Sequence, residues 1–394
     1  MFSIDTFYNF TNKIIVKIIY MNYNKKKESN MDKKRILEIF EDLLMIHSPS
    51  KNEIKVAEYI IDFANRIGAK VYLDKSYDKY GGNAPSIFVQ LGEGNGYTLS
   101  SHMDVVEPNK DLKIIKEENI WKTDGTTTLG GDDKAGVASV LYILEEIARD
   151  IKKYKRVTAI FTPCEEMGLL GAKNINWLDV PQKFKEDKDM IVLDNGGRAG
   201  KIAYQAPSAM VFNVKIIGKK AHAGIEPEKG INAIFLASKI ISDLNVGRID
   251  EFTTMNISKI HSDFPSNVVS DECTFSGEFR AHSEEKLNEV KSSIENAIKK
   301  VSEKYEYNFE LKYPALKLKD EKLLDLMAEE YKKLNVDVKK EIIGGGSDAN
   351  YFSKEDYNAI IVGVGMEKIH TTEEYLMLDE MYKTTEAILN LLKK

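Results

Sequence analysis

Apolar positions recur along this chain with two different periods, and the changes between them are sharp. Over 31–47, Ile36, Ile39, Phe40, Leu43, Leu44 and Ile46 fall on one face of a helix, which His47-Ser48-Pro49-Ser50 closes. The same spacing runs over 52–67 and stops at Gly68. Shorter runs then read as strands: 71–73, 86–91 between Pro85 and Gly92, and 97–100. A long apolar helix is predicted over 135–148, and β-branched strands over 156–162 and 190–193. Strands alternating with helices predict an α/β fold, a mixed sheet with helices on both faces. In such sheets, functional groups gather at the carboxyl ends of strands.

The texture changes after residue 206. Strands are predicted at 209–218, 254–260 and 273–280, with helices at 231–244 and 283–305. Beyond Pro314 the earlier rhythm returns, with helices over 321–334 and 379–392, a strand-like approach over 336–343 and a buried strand over 359–363. The expected organisation is therefore one α/β domain, 31–206 and 314–394, interrupted by a smaller α+β domain at 207–313. Residues 1–30 stand apart. Their apolar stretch, 12–20, is broken by Lys13 and Lys17, is too short to span a bilayer, and lacks the order of a secretory signal. Lys25-Lys26-Lys27-Glu28-Ser29-Asn30 reads as a solvated linker before Met31. The expectation is a disordered or misassigned extension, with a membrane-surface helix as the rival reading.

Composition narrows the class. A length of 394 residues suits two domains, and 43% apolar with 30% charged residues is that of an ordinary globular protein. Net charge is −6 and no long single-sign block lies beyond the amino terminus, so no nucleic-acid or membrane partner is expected. Cys164 and Cys273 cannot build a disulfide framework and fit a reducing, cytoplasmic setting.

Candidate chemistry sits where apolar runs end. His102 and Asp104, two apart on an extended segment, lean to one side, so one can bind a metal while the other orients it. Asp132 follows Gly130-Gly131 at a helix start and has two oxygens with which to bridge a pair of cations. Asp133 is expected to point elsewhere. Glu165 and Glu166 are adjacent, so their side chains diverge, one toward metal and the other toward a proton on water. Asp194 and His370 are candidate outer ligands. Singly, each has a plainer reading: a turn, a helix cap, an exposed loop. Their conjunction at strand ends points to a two-metal hydrolase, because imidazole nitrogen with carboxylate oxygen suits zinc.

The motifs His102-Met103-Asp104, Leu129-Gly130-Gly131-Asp132-Asp133-Lys134-Ala135-Gly136, Glu165-Glu166-Met167-Gly168 and Val192-Leu193-Asp194 resemble those of the co-catalytic zinc peptidases that include peptidase T, aminoacylase and glutamate carboxypeptidase. So do Ala221-His222-Ala223-Gly224, Gly344-Gly345-Gly346-Ser347-Asp348-Ala349-Asn350 and Ile369-His370. Order and spacing are most similar to the peptidase T, or tripeptide aminopeptidase, branch over 31–394. The resemblance implies two Zn2+, with Mn2+ or Co2+ able to replace them. One would be held by His102, Asp132 and Asp194, the other by Asp132, Glu166 and His370. It further implies that Asp104 orients His102, that Glu165 is the general base, and that His222 polarises the scissile carbonyl. Asn267, Arg280 and Ser347 would touch a short peptide substrate, and the inserted domain would serve as lid and homodimer contact. One departure stands out. Peptidase T resembles Arg-Gly-Gly-Thr-Asp-Gly where this chain has Gly344-Gly345-Gly346-Ser347-Asp348-Ala349, so a guanidinium suited to a substrate carboxylate is missing. An N-acyl-amino-acid deacylase or carboxypeptidase-type amidohydrolase on the same site remains open, as do an unrelated dimetal aminopeptidase of the shell-forming kind and a catalytically silent peptide-binding protein.

Overall fold

The computed structural model describes residues 31–394, so the extension expected over 1–30 lies outside the described residues. Its main sheet has nine strands in the order Lys70–Asp74, Ser86–Leu91, Arg156–Thr162, Gly96–His102, Asp189–Asn195, Asn358–Gly363, Lys201–Ala206 and Leu316–Lys317, with Lys339–Ile342 also pairing Lys201–Ala206. Ser86–Leu91 and Asn358–Gly363 are buried at every position, as expected of strands covered on both faces. The four central strands, from Arg156–Thr162 to Asn358–Gly363, run parallel.

Register is what assembles the site. His102 pairs with Thr162, so the segment that follows, Pro163-Cys164-Glu165-Glu166, leaves the sheet beside the histidine. Ser100 pairs with Val192, which brings Asp194 level with His102 from the other side. The helix Gly131–Arg149 lies almost wholly buried against these strands. Gly136 permits that approach: a Cβ there would stand 2.5 Å from the Leu193 carbonyl oxygen, too close for any side chain.

A second sheet, wholly antiparallel, has the order Gly247–Asp250, Thr253–His261, Glu272–Ala281, Ser208–Ile217 and Tyr305–Tyr313. The helices Ala233–Asp243 and Glu284–Val301 pack their apolar sides on it through Phe212, Phe275, Phe279, Ile240 and Ile294. Asn232 and Ser283 cap them, each side chain accepting an amide of the first turn. The catalytic-type mixed sheet and this separate antiparallel domain agree with the expected fold class. Two details differ. The helix predicted over 283–305 ends at Val301, and Tyr305–Tyr313, with Tyr305, Tyr307, Phe309 and Leu311 at period two, is a strand. Gly247–Asp250 is a further strand that the pattern did not reveal.

A small third sheet joins Ile114–Lys116, Ile120–Thr123, Tyr375–Met377 and Met366–Glu367. The last two pair antiparallel, Met366 with Leu376 and Glu367 with Tyr375, so His370 rides on the loop of a hairpin. Among the described residues, no helix is long and apolar enough to cross a membrane.

Candidate metal centre

At the carboxyl edge of the parallel strands, one carboxylate faces two histidines. His102 Nε2 lies 3.0 Å from Asp132 Oδ1, and His370 Nε2 lies 3.2 Å from Asp132 Oδ2. Asp194 Oδ1 stands 3.6 Å from His102 Nε2, and Glu166 Oε1 stands 2.8 Å from His370 Nε2. Four side chains drawn from 102 to 370 thus meet around Asp132. Asp132 can do this because its backbone leaves the helix, at φ −78° and ψ 105°, before the regular turns begin.

The surroundings fix each group. His102 Nδ1 is 3.0 Å from the Asp104 carbonyl oxygen and 3.3 Å from Asp104 Oδ1. Asp104 is fully buried and does more than orient that ring. Its Oδ1 accepts the Glu165 amide (2.9 Å), and its Oδ2 accepts the Glu166 amide (3.2 Å) and the Ser50 hydroxyl (2.7 Å). The Ser347 hydroxyl donates to Asp194 Oδ2 at 2.9 Å. His370, at φ +63°, and Cys164, at φ +55°, occupy the left-handed region that L residues seldom adopt away from functional turns.

Electrostatics follow from burial and crowding. Burial works against a charged His102, but Asp104, Asp132 and Asp194 outweigh it and raise the imidazole pKa well above its ordinary value. Asp132 and Glu166 push His370 up to about 10. Burial likewise opposes ionisation of Asp132, and the two imidazoles overcome it, holding that carboxyl below the usual range. Glu165 goes the other way: burial first, then the Asp194 charge, raises it well above an ordinary glutamate. The carboxylates around both imidazoles thus favour their protonated forms.

The donor set fits divalent cations. The ligand atoms of His102, Asp132 and Glu166 lie within 4.8 Å of one another, as do those of His102, Asp133 and Asp194. Buried Glu166 Oε1 finds no aligned hydrogen bond although His370 Nε2 is 2.8 Å away, leaving a buried acceptor that a cation would satisfy. Neutral imidazole with carboxylate is a mixture for zinc, manganese or cobalt.

Asp133 turns inward, contrary to its expected direction, because its oxygens are claimed there. Ser101 Oγ and the His102 amide donate to Oδ2, and the Gly136 amide to Oδ1 (3.2 Å). Three more buried carboxylates were given no role by the sequence, although Asp348 lies within the motif at 344–350. Glu53 Oε1 accepts the Cys164 amide (2.9 Å), Asp348 bonds the Thr162 hydroxyl, and Glu374 bonds the Asp132 turn. Each contact spans more than a hundred residues, beyond the reach of any local period.

The other expected contacts lie on or near the antiparallel sheet. His222 is exposed, with its Nδ1 accepting the Gly224 amide (3.2 Å), and it takes no part in the cluster's hydrogen bonds. Asn267 is exposed, and its carbonyl accepts the Ala223 amide at 2.9 Å. Arg280 pairs with Glu278 at 2.7 Å and donates from Nη1 to the Gly344 carbonyl at 2.9 Å, linking the antiparallel sheet to the glycine-rich turn.

Residues 98–394 match the profile of Peptidase family M20/M25/M40. The chain belongs to that family. It is 33% identical over 373 residues to the uncharacterized protein YqjE of Bacillus subtilis, covering 92% of this chain and 99% of that one. Peptidase T of Macrococcus caseolyticus is 29% identical over 342 residues, covering 83% and 81%. Among solved structures, a tripeptidase from Staphylococcus aureus superposes with a TM-score of 0.86 at 30% identity, over 93% of this chain and 99% of that one. Aminopeptidase PepT from Bacillus cereus gives 0.84 at 29%, over 92% and 98%. As an M20/M25/M40 member this chain is a metallopeptidase-like hydrolase, and its histidine–aspartate cluster is the candidate metal site.

Proposed function

We propose that the protein is a two-zinc peptidase that hydrolyses short peptides, of the peptidase T kind. The observation that carries this is the shared carboxylate: both oxygens of Asp132 face histidines delivered from opposite ends of the chain. In this reading His102, Asp132 and Asp194 hold one cation, and Asp132, Glu166 and His370 the other. The pair, when bound, supplies a water made acidic near neutral pH and an electrophile for the scissile carbonyl.

The chain's own groups do the rest. Asp104 fixes the His102 tautomer through Nδ1 and hangs the Glu165 and Glu166 amides from one carboxylate. Glu165, raised well above an ordinary glutamate by burial, takes a proton from the attacking water at a carboxylate oxygen and returns it to the leaving amine. His222, from the domain proposed to span 207–313, polarises the carbonyl once that domain closes on the substrate. Asn267, Arg280 and Ser347 position the peptide. The same domain is proposed to pair two copies of the chain, and the two unpaired buried cysteines suit a cytoplasmic setting.

The test is a length series of peptides, free and N-acylated, assayed before and after chelation and zinc return. Hydrolysis of free short peptides that stops with chelator and recovers with zinc is expected. Preference for acylated substrates would make the enzyme a deacylase, and activity indifferent to chelator would sink the reading. Glu165→Ala should lower turnover by on the order of 10²–10⁴ with bound metal retained. Metal loss in that variant would instead exchange the roles of Glu165 and Glu166.

A further inference from the structure

Glu374 is a buried carboxylate that the proposed reaction leaves unused. It sits four residues beyond His370, on the same hairpin loop, and is 2% exposed. Its Oε2 accepts the Gly130 amide at 2.9 Å and its Oε1 accepts the Asp132 amide at 3.0 Å. These amides open the helix Gly131–Arg149, where backbone N–H groups lack intrahelical partners and an anion is favoured. The contact is close: a Cβ on Gly131 would lie 3.1 Å from Glu374 Oε1. Its neighbour Glu373 has the same chemistry and a different fate, being exposed and paired with Lys368 at 2.5 Å.

One side chain therefore binds the turn that carries Asp132 to the loop that carries His370. Resting on the two-zinc reading, we propose that Glu374 is a positioning residue that sets the separation of Asp132 from His370 and so controls capture of the second cation. The first cation shares Asp132, but its other two ligands are fixed independently of Glu374. His102 and Asp194 end paired strands, and Asp104 and Ser347 hold their side chains. Loss of Glu374 should then fall more heavily on the second half, whose His370 shares its loop. Substitutions of groups that steer metal ligands cost about 10–100-fold in affinity, and the larger share of that penalty is expected at the second cation.

The experiment titrates zinc, and separately cobalt for its absorption bands, into metal-free full-length protein and the variants Glu374→Gln, Glu374→Ala and Glu373→Gln. Wild type and Glu373→Gln should bind two cations. Glu374→Gln should weaken the second by about 10–100-fold, clearly more than the first, and change its cobalt spectrum. Glu374→Ala should be the worse of the two, since the glutamine retains one acceptor. Equal weakening at both positions, weakening at neither, or an equal effect from Glu373→Gln would overturn the proposal. So would loss of folding in both Glu374 variants, read by circular dichroism without metal, because that would mark a general structural role. Failure of wild type to bind two cations would remove the two-zinc reading itself.

Discussion

The two halves of the proposed metal centre share Asp132 and little else. His102 ends a strand inside the sheet with 2% of its side chain exposed, and Asp104 holds its second nitrogen. His370 rides on a hairpin loop with 49% of its side chain exposed. Burial makes each charge interaction stronger on the first side, because the local dielectric is low. The second side faces solvent, where water and ions compete. The difference teaches that one proposed cation position is built by the sheet and the other by a loop that must be held to it. The first should be tight and slow to exchange, the second weaker and adjustable.

Four experiments would break or sharpen that contrast. Asp132→Ala removes a ligand common to both halves, so metal analysis should find neither cation and turnover should vanish. One cation retained at full affinity would mean that the halves are independent. Next come the histidines in the metal-free protein, compared by urea denaturation. His102→Ala strips the partner from three buried carboxylates, and about 3–5 kcal/mol of stability should be lost. His370→Ala should cost at most about 1 kcal/mol, because its ring is half in water. Equal losses would erase the distinction.

The third experiment concerns pH. With His370 at about 10 in the metal-free chain, a cation must displace a proton at neutral pH. Affinity at that half should rise with pH by on the order of tenfold per unit while one proton is displaced. Stability of the metal-free protein runs the opposite way. A raised histidine pKa contributes stability that is complete below the unfolded value of about 6.5. That contribution is lost as pH climbs toward 10. Calorimetry of zinc uptake in two buffers and melting curves across that window should therefore show opposite signs. The smallest expected effect is kinetic. A chelator should withdraw the two cations in separate phases, the more exposed first, and a single phase would argue for one cooperative unit.

Much of the buried half is legible in the sequence. Apolar runs ending in His102, Glu165-Glu166 and Asp194 announce strand ends, and parallel pairing does the rest. The exposed half is less so. Nothing local marks His370 as more than a loop histidine, and its place depends on a hairpin of two-residue and three-residue strands. Glu374 was invisible for a related reason. It bonds amides 244 and 242 positions away, while the adjacent Glu373 looks identical in sequence and lies in solvent. Asp133 was expected only to point elsewhere; the non-helical backbone at Asp132 and Asp133 turns it onto Ser101 and the His102 and Gly136 amides. In the antiparallel domain, the edge strand Tyr305–Tyr313 was overrun by a strongly amphipathic helix just before it.

Asp104 has a further consequence. Because neighbouring amides of Glu165 and Glu166 hang from its two oxygens, the proposed proton acceptor and the proposed cation holder share one peg. A drift of the strand end displaces both by the same vector, and the chemistry stays in tune with itself. Adaptation toward a new peptide is thereby steered elsewhere. It can work through Arg280 and the turn at Gly344, which can be rebuilt without disturbing that peg.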